Sequence, residues 1–148
     1  MDHPFGKFEG VAEPEARYGD PVLILPRLGQ GSFRVIVTDA YERRCAITEE
    51  KTLPTLEAVH IKPFGESGPH RVENGILLRS DIHKLFDTGY VTVTTDHHFE
   101  VSRRIREEFD NGEYYQTFHG NRIHVPQNPQ FRPGPEFLTY HNDKVFRG

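Results

Sequence analysis

One stretch constrains this chain more than any other: LEAVHIKPFGESGPHRVENGILLRSDIHKLFDTG, residues 56–89. Its apolar start, 56–61, predicts a strand, and 62–73, with Pro63, Gly65, Gly68 and Pro69, predicts a loop. Residues 75–78 are short and apolar, suited to a return strand pairing with the first. Ser80 is placed to cap a helix running through 86, and Gly89 to close it. Strand, loop, strand, helix then puts His60 at the end of the first strand, Asn74 at the base of the loop and His83 on the helix.

The rest of the chain is organised around that unit. At 148 residues it suits one domain, long enough to bury a core, with 1–20 expected as a flexible leader and 21–148 as the folded part. The hydrophobic fraction of 35%, with eleven Pro and thirteen Gly, implies many turns and irregular connections. PVLILP, 21–26, is bracketed by prolines and suits an edge strand. Gly29 and Gly31 offer a turn and Ser32 a cap for an amphipathic helix over 32–44, on which Phe33, Ile36, Val37, Ala40 and Tyr41 recur at helical spacing. Residues 45–48 are expected as a strand, 90–94 and 99–101 as two more, and 102–109 as a helix with Ile105 and Phe109 on one face. A short helix in EYYQTFHG, a proline-rich irregular run over 125–135 and a closing helix over 136–146 complete the reading, an α+β chain.

No apolar run approaches the roughly 18 residues of a membrane span, and the start lacks a basic segment followed by an apolar core, so the cytoplasm is the expected compartment. Cys45 stands alone, which excludes an internal disulfide and a thiolate zinc cage. A net charge of −4 argues against nonspecific coating of nucleic acid, while leaving room for a local basic patch. Most of the nine histidines (His3, His70, His97, His98, His119, His124, His141) fall in apparent loops and tails and are expected to be surface residues.

Hydrolysis of a phosphodiester needs a nucleophilic water, neutralisation of phosphate charge and help for the leaving oxygen. A neutral imidazole, with an ordinary pKa of about 6.5, is a good base for such a water. His83 and Asp87 stand four apart and share one helix face, so an imidazole and a carboxylate can bind one divalent cation from there. Glu57, three residues before His60, points to the same side of the strand as Val59 and is a further candidate ligand; Asp81 is another, at the helix start. A bland reading competes at each position. An isolated strand histidine is more often a hydrogen-bonded structural residue, Asn74-Gly75 is a strong turn signal, and Asp81 suits any first helical turn.

In the settings AVHIKPF, ENGILL and DIHKLFD, His60, Asn74 and His83 resemble the HNH endonuclease motif, built as a ββα-metal fold. The segments RLGQGSFRVIVTDAYERRCAITEE, LEAVHIKPF, NGILLRSDIHKLFDTGYVTVT and HNDKVFRG are similar to the branch found in bacterial putative restriction endonucleases, over residues 26–148. The resemblance implies an HNH core of hairpin plus helix with flanking helices and short strands. It implies His60 as the general base and Asn74 as the brace that positions it. His83 would be a metal ligand, with Asp87 one helical turn on, where the colicin nucleases carry another. It further implies a divalent metal, Mg²⁺ or Mn²⁺ foremost and Zn²⁺ or Ni²⁺ as alternatives, a DNA substrate in restriction or anti-phage defence, and a homodimer as one route to cutting both strands.

The chain departs from that family in two places. Val59 stands where many members carry an Asp or His ligand, and Cys45-Ala46-Ile47-Thr48 keeps only the first position of a paired-cysteine zinc knuckle. Stabilisation in its place is expected from the 32–44 helix and the C-terminal segment. Among the basic residues Arg103, Arg104, Lys62 and Lys84 are the expected DNA contacts, although Glu107 and Glu108 follow the SRRIR cluster and could pair with it. A non-catalytic HNH module that binds metal or DNA without turnover is the alternative, motivated by Val59 and the acidic charge. A phosphodiester hydrolase acting on RNA ranks third, for want of an aromatic platform.

Overall fold

The computed structural model describes residues 29–148; the expected leader at 1–20 and the apolar run at 21–26 lie outside the described residues. Helix α1 (Gln30–Ala40) leads to an antiparallel hairpin of β1 (Leu56–His60) and β2 (Gly75–Arg79), followed directly by α2 (Ser80–Asp87). A second hairpin, β3 (Val91–Val93) with β4 (Phe99–Val101), precedes two short helices, α3 (Arg104–Phe109) and α4 (Glu113–Gln116), and the closing α5 (Pro135–Lys144). The expected α+β arrangement of hairpin, helix and flanking elements is what the chain adopts. No described helix is long and apolar enough to cross a membrane.

The first hairpin is the centre of the fold. Its register pairs Leu56 with Arg79 and His60 with Gly75. Ile76, Leu77 and Leu78 are all 0% exposed, so β2 is covered on both faces, by α1 on one side and α2 on the other. Each such side chain removed from water contributes roughly 1.5–3 kcal/mol. Residue alternation sends Glu57 and Val59 towards α2, and Ala58 and His60 towards α1. Gly75 is needed where β2 meets α1, since a Cβ there would fall 2.4 Å from Val37 Cγ2.

Several boundaries differ from the sequence expectations, each for a local reason. Helix α1 begins at Gln30 with Gly29 as its flank, so Gly31 and Ser32 lie inside it, and the β-branched run Val35-Ile36-Val37 is held helical by burial of Ile36 and Val37. It stops at Ala40 because Glu42 and Arg43 turn to positive φ. Residues 45–48 form a turn instead of a strand: the Cys45 thiol accepts the backbone N–H groups of Ile47, Thr48 and Arg79, each at 3.4 Å. His124 ties the same corner down through its backbone N–H to Ala46 O and its ring to Tyr41 O, each at 2.8 Å. Ser80 is the first residue of α2, not its cap, and its hydroxyl donates to Thr55 O. In α3, Ile105 is buried but Phe109 is 58% exposed, edge-on to Tyr90, so the two do not share a buried face.

The loop 61–74 is drawn tight at its neck. Ile61 N–H donates to Asn74 O at 2.8 Å and Gly68 N–H to Pro63 O at 2.8 Å. A Cβ at Gly68 would stand 1.7 Å from Lys62 O, a backbone atom that cannot swing aside. Gly68→Ala is therefore expected to destabilise the fold by about 1–3 kcal/mol, the range for overpacking, measured by urea unfolding; an unchanged midpoint would show that the loop opens freely.

Candidate active site

His60, at the end of β1, lays its ring parallel to Phe33 of α1, centroids 4.1 Å apart and planes 5° apart. Its Nε2 is 2.8 Å from Nδ1 of His70, which is itself stacked on Phe64 at 4.4 Å. Burial first, and the neighbouring His70 imidazole second, lower the His60 pKa to about 4. It is neutral at pH 7, the form a base must have.

Asn74 is 0% exposed and uses its whole amide on the loop. Its Oδ1 accepts Lys62 N–H at 2.9 Å, and its Nδ2 donates to Lys62 O and Pro69 O, each at 3.0 Å.

On α2, His83 is held between two carboxylates. Nδ1 meets Glu57 Oε1 at 2.5 Å across the hairpin, and Nε2 meets Asp87 Oδ2 at 2.9 Å one helical turn on. The Asp87 hydrogen bond above all, joined by that of Glu57, pushes the His83 pKa up to about 9 against the cost of its partial burial. In the metal-free protein His83 is thus an imidazolium donating from both nitrogens. A folded-state pKa above the unfolded value of about 6.5 stabilises the fold fully below that value, and the gain is lost as pH rises through about 9. Urea unfolding of metal-free wild type beside His83→Gln is expected to show a stability gap at about pH 6 that closes at about pH 10; a gap independent of pH would contradict the pairing.

His60, His83 and Asp87 line one open cleft of about 450 Å³, together with Ala58, Val59, Pro63, Phe64, His141 and Val145. Behind it, Glu57, Lys84, Ser80 and Thr88 share a second cleft with His83 and Asp87. The His83–Asp87 pair is the wall between them. Asp81 is drawn elsewhere: Arg79 binds it at 2.7 Å, Tyr115 OH donates to it at 2.8 Å, and its carboxyl is held down to about 2, by Arg79 chiefly.

The donor set of one imidazole and two exposed carboxylates suits a divalent cation in kind, since imidazole and oxygen ligands together accept such ions. Among the described residues, no group of three His, Cys, Asp or Glu side chains is already gathered as a metal cage. Here the carboxylates close on the His83 ring instead, so a cation bound by Nε2 and Asp87 would replace one hydrogen bond and the proton in it.

The basic residues divide. Lys84 lines the cleft beside His83, and Lys62 lies in the braced loop with Nζ 5.0 Å from the Tyr140 ring centre. Arg104 pairs with Glu108 at 3.7 Å, and Arg103 lines a different cleft with Ile105 and Arg106. Of the described histidines expected at the surface, His141 is buried, and His70 is half-buried with a partner in the site. His70 is bonded to His60, and His141 is 1% exposed, bonded to Thr92 Oγ1 at 2.7 Å and Phe86 O at 2.8 Å. A signal for His70 lay in the loop itself: with both strands paired to its neck, a residue four before Asn74 is carried back beside the end of β1.

A two-stranded hairpin closed by a helix, with an imidazole on the strand, an asparagine at the loop neck and an imidazole–carboxylate pair on the helix, is the hairpin-plus-helix core expected above. Residues 45–94 match the family model described as HNH endonuclease. The solved structure of a modification dependent TagI restriction endonuclease shares the fold, with a TM-score of 0.53 and 19% identity, over 90% of this chain and 44% of that one. The chain thus spans less than half the length of that enzyme. No curated protein matches it.

Proposed function

We propose that this protein is a metal-dependent endonuclease hydrolysing DNA phosphodiester bonds, acting in restriction or a related defence. The observation that carries the reading is the single cleft shared by His60, His83 and Asp87 on a hairpin-helix core. His60, neutral and fixed by Phe33 and His70, takes a proton from the attacking water. His83 through Nε2, with Asp87, would hold a divalent cation, Mg²⁺ or Mn²⁺, which supplies positive charge at the phosphate. Glu57 reaches His83 from the other side, on Nδ1, and fixes the ring's orientation as carboxylate partners of metal-bound histidines do. Asn74 holds the loop that carries Lys62 and His70, and Lys84, in the second cleft beside His83 and Asp87, offers a cation to a phosphate group. Val59, buried at 3%, leaves the cation site to the helix side.

Supercoiled plasmid incubated with Mg²⁺ or Mn²⁺ is the test. Nicked or linear product that disappears with EDTA supports the reading. DNA retained in a gel shift with no cleavage at either metal would return the chain to a non-catalytic binding module.

A further inference from the structure

We propose that His70 is a positioning and proton-relay partner of His60, selecting the ring tautomer in which His60 acts and carrying its proton out to solvent. The inference rests on the reading of His60 as the base. The two rings share one hydrogen between His60 Nε2 and His70 Nδ1, 2.8 Å apart. Phe33 stacks on His60 at 4.1 Å and Phe64 on His70 at 4.4 Å, so neither ring can turn without losing a stack. Asn74 adds a third constraint, because its Nδ2 grips Pro69 O, one residue before His70. A loop residue with no structural duty would not be held from three directions.

The shared hydrogen has two possible owners. If His70 Nδ1–H donates, His60 must carry its own proton on Nδ1, and a neutral ring so arranged has no lone pair left for water. If His60 Nε2–H donates, Nδ1 of His60 is bare, and among the described residues no other group bonds to it. Only the second arrangement is a base. The protons then balance along one line. Water gives a proton to His60 Nδ1, and the Nε2 proton crosses to His70 Nδ1. His70, half-buried, releases its own Nε2 proton to solvent. The hydroxide oxygen bonds to phosphorus as the bond to the leaving oxygen breaks, and solvent reprotonates that oxygen. His70 touches neither water nor phosphate in this sequence and acts through His60 alone.

The experiment joins nitrogen-15 NMR of the imidazoles in the metal-free protein to single-turnover plasmid cleavage by wild type, His70→Ala and His70→Asn. The expected spectrum has His60 and His70 each protonated on Nε2. Asn presents an oxygen near the place of Nδ1 and accepts the same bond, but it cannot pass a proton on. His70→Ala is therefore expected to cleave roughly 10-fold or more slowly with KM unchanged, part of the 10²–10⁴ that a general base contributes. His70→Asn is expected to recover part of that loss, and added imidazole to speed the alanine variant but not wild type. A His70 protonated on Nδ1, an alanine variant within twofold of wild type, or equal rates for Ala and Asn would overturn the proposal. A wild type that does not cleave overturns the nuclease reading itself. The tautomer measurement, which needs neither metal nor DNA, then decides the pair.

Discussion

His60→Ala is expected to slow single-turnover plasmid cleavage by about 10²–10⁴-fold, the range a positioned general base contributes, while leaving KM nearly unchanged. The variant should still fold. What is lost from the structure is one ring stack on Phe33, worth about 0.5–1.5 kcal/mol, and one hydrogen bond to His70, worth a net 0.5–1.5 kcal/mol or so. Against a typical stability of about 5–15 kcal/mol that is a modest sum. Rate loss without loss of fold is what separates a base from a packing residue. The pH profile adds a second reading. Because the folded-state His60 is held down to about 4, the base form is complete well below neutrality. At saturating metal, kcat/KM is expected to rise with pH through about 4 and be level by about 6, whereas an ordinary imidazole would still be titrating there. A full-rate alanine variant would remove His60 from the mechanism.

How far the sequence carried the fold can be seen residue by residue. The first hairpin and α2 were legible because apolar runs of strand length, a glycine- and proline-bearing loop and a helical repeat follow one another without ambiguity, and β1, β2 and α2 fall within a residue or so of their expected places. The relation of His83 to Asp87 followed from helical spacing alone. Residues 45–48 were misread because apolar Cys45, Ala46 and Ile47 look like a strand, and nothing in the sequence says that three N–H groups will converge on one sulfur. The same limit hid His70 and His141. Both follow polar or proline-rich stretches that resemble surface, and what buries them is tertiary: the closure of the 61–74 neck in one case, the packing of α5 on β3 in the other. Strand alternation did place Glu57 on the α2 side, yet only the fold shows that its carboxylate reaches the Nδ1 face of His83. Arg104, singled out as a DNA contact, has Glu108 beside it one helical turn on, a pairing visible in the spacing.

Asn74→Ala is expected to be the most destabilising single change in the site, by roughly 3–5 kcal/mol, since each buried polar group left without a partner costs about 1–3 kcal/mol. Three loop groups depend on this amide: Lys62 N–H, Lys62 O and Pro69 O. At 0% exposure no water stands ready to replace it. Asn74→Asp sharpens the point. A carboxylate keeps the acceptor for Lys62 N–H but turns the two donated bonds into oxygen facing oxygen, and it buries a charge where the amide was neutral. Aspartate is therefore expected to be no better than alanine, which an acceptor-only role for Asn74 would not predict. The loss should also be local before it is global, because the amide closes the loop between β1 and β2 while α5 and β3 pack elsewhere. Hydrogen exchange is expected to rise first at Ile61, Lys62 and Gly68, whose N–H groups are bound at the neck or within the loop. With that loop loosened, His70 leaves His60, and cleavage is expected to fall even at temperatures where the variant remains folded. Wild-type exchange at those three amides in Asn74→Ala would show that the strands alone hold the neck, and would reduce Asn74 to a turn residue.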